Sequence, residues 1–391
     1  MATNNALNQG QNLGTDNVAL GPGAGNALAA GGTDNTCVGD DAGLLVSTGD
    51  NNTCIGSGAG AAIVTTSDNT MIGKDAGLVN TAAANTFVGA RAGDSVTSGI
   101  NHTLIGVDAG AALVTTNNSV MIGYNAGLLS TGSQNVVIGS LAGDTMTSPN
   151  NSVLIGYNAG TALTTGSQNT YVGARAGDAN TTGASNILIG LDAGGAGDGL
   201  ANNIIIGTSA GPIVSTGSRN IIIGDAAGGA LTTGSDNICI GNASNTTAGA
   251  SFQIALGVDA TTTANNQMVV GGNGGSINDY YFGKGVTNAT PAAVTFQPTG
   301  ESGTDQAGVA FQLAGGKATG NAAGGSILFQ TSDVGASGTT LQSLTTKVTI
   351  FSTGGVNCGS PTGGDKGAGT LNATAVYDDN TLLTDYVFDK Y

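Results

Sequence analysis

Charged, aromatic and helix-favouring residues are all scarce in this chain. Of its 391 residues, 9% are charged and 4% aromatic; there is no tryptophan, one histidine (His102) and one glutamate (Glu301). A soluble domain usually carries about 25% charged residues. Long surface helices need Glu, Lys, Leu and Ala in amphipathic spacing, and that pattern is missing, so very little helix is expected. A single histidine excludes most His-based catalysis and His-rich metal sites. Four cysteines, Cys37, Cys54, Cys239 and Cys358, are too few for a disulfide framework. No apolar run approaches the roughly 20 residues of a membrane helix. The opening Met-Ala-Thr-Asn-Asn-Ala has neither the basic segment nor the apolar core of a secretory signal. The formal net charge of −16 disfavours nucleic acid and anionic membrane as partners.

What the chain has in quantity is glycine, 69 residues of it, and the glycines are periodic. A motif N-T-x-I-G-x-x-A-G, followed by a short segment such as L-T-T-G-S, recurs sixteen times with its first glycine at positions from Gly21 to Gly271. Most intervals are 16 to 18 residues and the last is 14. A period near 17 is too short for the helix-containing repeats. It has room for two strands of about five residues and two tight turns. Successive coils then stack as parallel strands about 4.8 Å apart, giving an estimated length of roughly 70 Å.

Columns of equivalent residues predict which side chains point inward. The residue before each anchor glycine is Val, Ile or Leu, and the one three before it is mostly Thr, Val or Ile. Strand alternation places these two columns on one face, which is assigned here to the interior. The column between them is then expected to face outward, yet it is apolar in every coil: Met71, Phe87, Leu104, Met121, Val137, Leu154, Tyr171, Leu188, Ile205 and Ile222 are examples. An outward apolar stripe marks an interface, so these ten residues are the expected contact between copies of the chain. The other possibility is a flattened coil whose own chain covers both faces. Four residues before the glycine, eleven of sixteen coils carry Asn, which suits a stacked hydrogen-bonding ladder. The Ala-Gly step fits a tight corner where only a methyl group has room. Cys37, Cys54 and Cys239 lie in the apolar column and are expected to be packed thiols.

The motif, as in Asn69–Gly77 (NTMIGKDAG) and Asn169–Gly177 (NTYVGARAG), resembles the head repeats of trimeric autotransporter adhesins. The resemblance covers roughly residues 15–272 and implies a left-handed parallel β-roll with three chains per head. The repeat here is longer than is usual in that family, and the family's signal peptide and C-terminal membrane anchor are not recognised. Residues 280–391, with G-V-A-F-Q-L-A-G-G-K-A-T-G and the closing G-D-K-G-A-G-T-L-N-A-T-A-V-Y-D-D-N-T-L-L-T-D-Y, are similar in style to bacteriophage tail fibres and tailspikes. That likeness implies a virion location, an extracellular fibre or spike, with other tail or fibre components and a host surface polysaccharide or protein receptor as partners.

The expectation is therefore an all-β chain, a parallel β-solenoid (β-roll) of about sixteen 17-residue coils, assembled as a homotrimer. Residues 1–14 are read as a lead-in, 15–275 as the shaft, 276–357 as a β-rich region intertwined with partner chains, and 358–391 as a trimer clamp or junction. Short strands are predicted at Ala293–Gln297, Val309–Leu313, Ser326–Gln330 and Lys347–Phe351. No catalytic constellation emerges and no cofactor is expected. His102 sits in the Asn column and is read as a surface substitution. The G-x-D-A-G aspartates Asp41, Asp75, Asp108 and Asp192 leave room for incidental Ca²⁺ but lack the G-G-x-G-x-D pattern of calcium β-rolls. The function read from these features is a non-enzymatic fibre or spike mediating host attachment. A bacterial surface trimeric adhesin is the alternative. The Thr pairs, such as Thr65-Thr66 and Thr164-Thr165, raise an ice-binding solenoid as a further one.

Overall fold

A computed structural model describes residues 15–28, 31–272, 313–315, 323–332, 344–358, 371–373, 377–378 and 381–382. Two compact units divide the chain, Met1–Tyr280 and Tyr281–Tyr391. Among the described residues there is no α-helix.

The first unit is a parallel β-solenoid. Sixteen three-residue strands form one sheet in strict chain order, from β1 (Val18–Leu20) to β16 (Met268–Val270). The strands stack without register slip, so Ile187, Ile204, Ile221 and Ile238 lie directly over one another. Each coil has this one strand rather than two. The rest of the circuit is a chain of turns, but its backbone still bonds to the next coil: Gly43 N–H donates to Ala59 O (2.9 Å) and Ser47 N–H to Val64 O (2.8 Å). Turn chemistry explains the scattered Asp and Asn. Besides the two glycine columns, two positions in most coils take positive φ, among them Asp34, Asn51, Asp75, Asp108, Asn125 and Asn158, and short polar side chains tolerate that conformation best.

The interior is narrow, and the column expected outside fills it. Met71, Phe87, Leu104, Met121, Val137, Leu154, Tyr171, Leu188, Ile205 and Ile222 are all fully buried within a single chain. They are core, not an interface between copies. The flanking columns, assigned to the interior from sequence, face outward instead: Val18 and Leu20 are 54% and 46% exposed, and Ile55, Ile187 and Ile240 close to 40%. The alternation is correct but its phase is reversed. A coil this thin accepts only the middle residue of each strand, which meets the Ala of the A-G corner and a second inward residue seven after the anchor, such as Val46, Ile63 and Leu163. Each fully buried large side chain stabilises the fold by roughly 1.5–3 kcal/mol.

Two glycine columns make this closeness possible. A Cβ on Gly106 would lie 2.3 Å from Gly123 O, so the anchor glycines form a stack that admits no side chain. A Cβ on Gly177 would lie 2.6 Å from the Tyr171 ring, so the second glycine of the corner is needed for core space as well as for its φ of 61°.

In the second unit β17 (Ile327–Ser332) pairs antiparallel with β18 (Leu344–Ile350), with a register shift at Phe329/Gln330. β18 pairs antiparallel with β19 (Val356–Cys358), and β19 parallel with β20 (Leu371–Ala373). A two-residue pair, β21 (Tyr377–Asp378) and β22 (Thr381–Leu382), stands apart. The strands expected near 326–330 and 347–351 are thus present with somewhat different ends. Ala293–Gln297, and all of Val309–Leu313 except Leu313, lie outside the described residues, as does most of the 358–391 segment read as a clamp or junction.

Candidate interaction surfaces

The outer side of the sheet is continuous along the described solenoid. Two columns line it, the residues three before and one before each anchor glycine. They are Val, Ile or Thr everywhere except Leu20, Leu256 and Met268. Their composition drifts along the axis. Thr occupies the first column from Thr36 to Thr103, whereas both columns are Ile from Ile187 to Ile240. Side chains here are half-buried or exposed.

The polar ladder is the coil's internal counterpart. Asn186 N–H and Asn186 Nδ2 both donate to Asn169 Oδ1 (3.0 and 3.1 Å), and Nδ2 also donates to Leu200 O (2.6 Å). Asn203 N–H in turn donates to Asn186 Oδ1 (3.0 Å). These asparagines are fully buried, so the column satisfies a row of backbone groups rather than presenting a binding site. His102 belongs to this ladder and is buried, not the surface substitution expected. Its backbone N–H donates to Asn85 Oδ1 (2.9 Å), Nδ1 accepts from Ser119 N–H (3.3 Å), and Nε2 faces Thr116 O at 2.5 Å. That pattern requires a neutral ring protonated at Nε2. Burial lowers its pKa, partly offset by the Thr116 and Ser119 backbone contacts. Such a ring is a structural pin, not a general base.

All three arginines of the chain fork onto the aspartate one coil up. Arg91 Nε and Nη2 donate to Asp108 (both 2.6 Å), Arg175 to Asp192 (2.5 and 2.6 Å), and Arg219 to Asp236 (2.6 and 2.8 Å). Two of the four G-x-D-A-G aspartates are thereby occupied, and Lys74 sits 3.4 Å from a third, Asp75. No group of three metal-ligating side chains occurs among the described residues. Burial raises the pKa of Asp94 and Asp178, and the nearby Asp108 and Asp192 carboxylates add to this.

The cysteines are packed free thiols, as expected for Cys37, Cys54 and Cys239. Cys37 and Cys54 are register partners. Contact with Cys37, then burial, pushes the Cys54 thiol up, and burial pushes Cys239 to about 11. Two of the paired threonines spend their hydroxyls on the next coil: Thr164 Oγ1 donates to Thr181 O (3.0 Å) and Thr232 Oγ1 to Ala248 O (2.8 Å). Among the described residues no helix is long and apolar enough to cross a membrane.

Sequence reasoning missed two surfaces. One is the β-branched outer face. The other is a run of exposed residues directly after the anchor glycines, Val107, Tyr124, Tyr157 and Leu191. The signal for the first was uniformity. Outer columns are β-branched at all but three positions, while the inner column ranges from Ala19 to Tyr171 because it must match its local cavity. No known protein family matches the chain, and no curated protein is similar to it.

Proposed function

We propose that this chain is the shaft-forming subunit of a non-enzymatic attachment fibre or spike, of the kind phage virions carry outside the cell, and that it works as a homotrimer. The observation that carries the reading is the outer face of the sheet, β-branched in both columns through thirteen successive strands from Thr36 to Ile240. Strand spacing and length make this strip on the order of 700 Å². A stable interface buries roughly 800 Å² per partner. A monomeric solenoid has no need to keep Ile in both outward columns over four successive coils. A partner strip of the same kind gives them one, because matched β-branched ridges exclude water along the whole axis. Three copies rather than two follows from the likeness to adhesin heads. The polar ladder ties coil to coil and three arginine forks reinforce it, which is what a rigid shaft requires. Tail or fibre components and a host surface receptor are the partners of such a shaft. A bacterial surface adhesin built from the same coil is the second reading, favoured by the NTMIGKDAG-type motif itself.

Light scattering of the purified chain tests the assembly. The expected native mass is three times the 37.6 kDa chain mass. A native mass of one chain would remove the shaft reading.

A further inference from the structure

Five aromatic residues lie in the described solenoid, and two of them, Phe87 and Tyr171, are buried in its core. Tyr124 and Tyr157 are each 54% exposed, and Phe252 61%. The two tyrosines share one column, since each directly follows an anchor glycine, Gly123 and Gly156. β7 (Val120–Ile122), β8 (Val136–Ile138) and β9 (Val153–Ile155) stack in register just before them. The ladder continues past the glycines: Leu141 N–H donates to Tyr124 O (2.9 Å) and Asn158 N–H to Ser140 O (3.1 Å). Tyr124 and Tyr157 are therefore two coils apart, about 10 Å along the axis. Only the small Ser140 stands between them, and Ala174 follows.

The repeat does not call for aromatics here. Equivalent positions hold Asp40, Ser57, Lys74, Asp225 and Asn242 elsewhere in the array. Nor does the fold use the rings, since they are exposed while the inner column supplies the core. Polar groups flank them: Asn125 and Asn158 follow in the chain, and the Arg175–Asp192 fork lies beside Tyr157, where Arg175 N–H donates to Tyr157 O (2.9 Å). An exposed ring with a hydroxyl tip and amide neighbours is amphipathic, with an apolar face and hydrogen-bonding rim. That combination matches a sugar ring, which offers a C–H face and a hydroxyl edge. A net charge of −16 argues against an anionic polymer. A β-1,4-linked glycan ribbon turns the same face outward at every second sugar, which suits rings placed at every second coil.

We propose that the Tyr124–Ser140–Tyr157 column binds a neutral β-1,4-linked glycan lying along the solenoid axis, with alternate sugars stacked on the two tyrosines. This deepens the attachment reading and rests on it. The test is titration of the full chain with cellohexaose, mannohexaose and chitohexaose, followed by calorimetry and by tyrosine fluorescence, which no tryptophan obscures. At least one hexaose is expected to bind saturably, and the α-1,4-linked maltohexaose more weakly. Tyr124→Ala and Tyr157→Ala should each weaken binding roughly tenfold. Phe252→Ala should leave it unchanged. Failure of all three β-1,4 hexaoses to saturate overturns the proposal, and so does an equal loss in Phe252→Ala. A fall in native mass in the double tyrosine variant also overturns it, by assigning the column to contact between copies. Light scattering on the same samples separates the two ideas. Binding by a single-chain species keeps the glycan site and removes the trimer, whereas a trimer that binds none of the β-1,4 hexaoses removes only the site.

Discussion

The inner and outer sides of the solenoid sheet are built from the same three-residue strands, yet they follow opposite rules. The inner side takes one residue per coil and lets it vary from Ala19 and Cys37 to Phe87 and Tyr171, all but Ala19 and the terminal Val269 wholly buried. The outer side takes two residues per coil and hardly lets them vary. An inner side chain has to fit its own cavity, where a misplaced methyl group is felt. An outer side chain has only to keep a continuous ridge. Variation within a column thus reports packing inside the coil, and constancy reports stacking along a surface.

The comparison can be broken from the inside first. Gly177→Ala places a methyl group against the Tyr171 ring and forces a side chain onto positive φ. Overpacking and the left-handed backbone together should cost about 2–4 kcal/mol. The expected result is a lower thermal midpoint, with loss of hydrogen-exchange protection beginning in the coils around Gly177. An unchanged midpoint would contradict the packing described. The smaller effect concerns His102. Its folded pKa lies below the ordinary 6.5, because burial penalises the charged ring. Its contribution to stability is therefore complete above about pH 6.5 and lost as pH falls through the depressed folded value. His102→Asn restores the residue the ladder carries elsewhere. The variant should match the wild type at pH 7.5 and melt higher than it at pH 5. Identical melting at both pH values would show that the ring is not the buried neutral pin described.

Much of the fold was legible in the sequence. The sixteen anchor glycines gave coil number and period, the Asn column gave the polar ladder, and the Ala-Gly step gave the tight corner. Alternation also identified which residues share a face. What it could not give was phase, because an inward and an outward column in a thin coil can both be apolar. Met71 and Phe87 look like an interface when the neighbouring Ile72 and Val88 are assumed to be core. Their unequal sizes were the clue. His102 was misplaced for a related reason: a polar residue in a polar column was assigned to solvent, although the column's hydrogen bonds are made inside. Tyr124 and Tyr157 follow no repeat rule; the anchor glycines already set them in one column, but only the structure shows that both rings are exposed. In the second unit no period exists, so the strands near 327–332 and 344–350 were found from composition alone and their ends shifted.

Strand Ile204–Ile206 allows the most direct test, because all three residues are Ile and only their direction differs. The measurement is paired far-ultraviolet circular dichroism and light scattering of Ile205→Asp and of the double variant Ile204→Asp with Ile206→Asp. Ile205→Asp buries a carboxylate in the core and should lower the overall β signal. The double variant should keep the β signal and fall to the mass of one chain. A folded, assembled Ile205→Asp, or an outer double variant whose mass is unchanged, would contradict the account of the two faces.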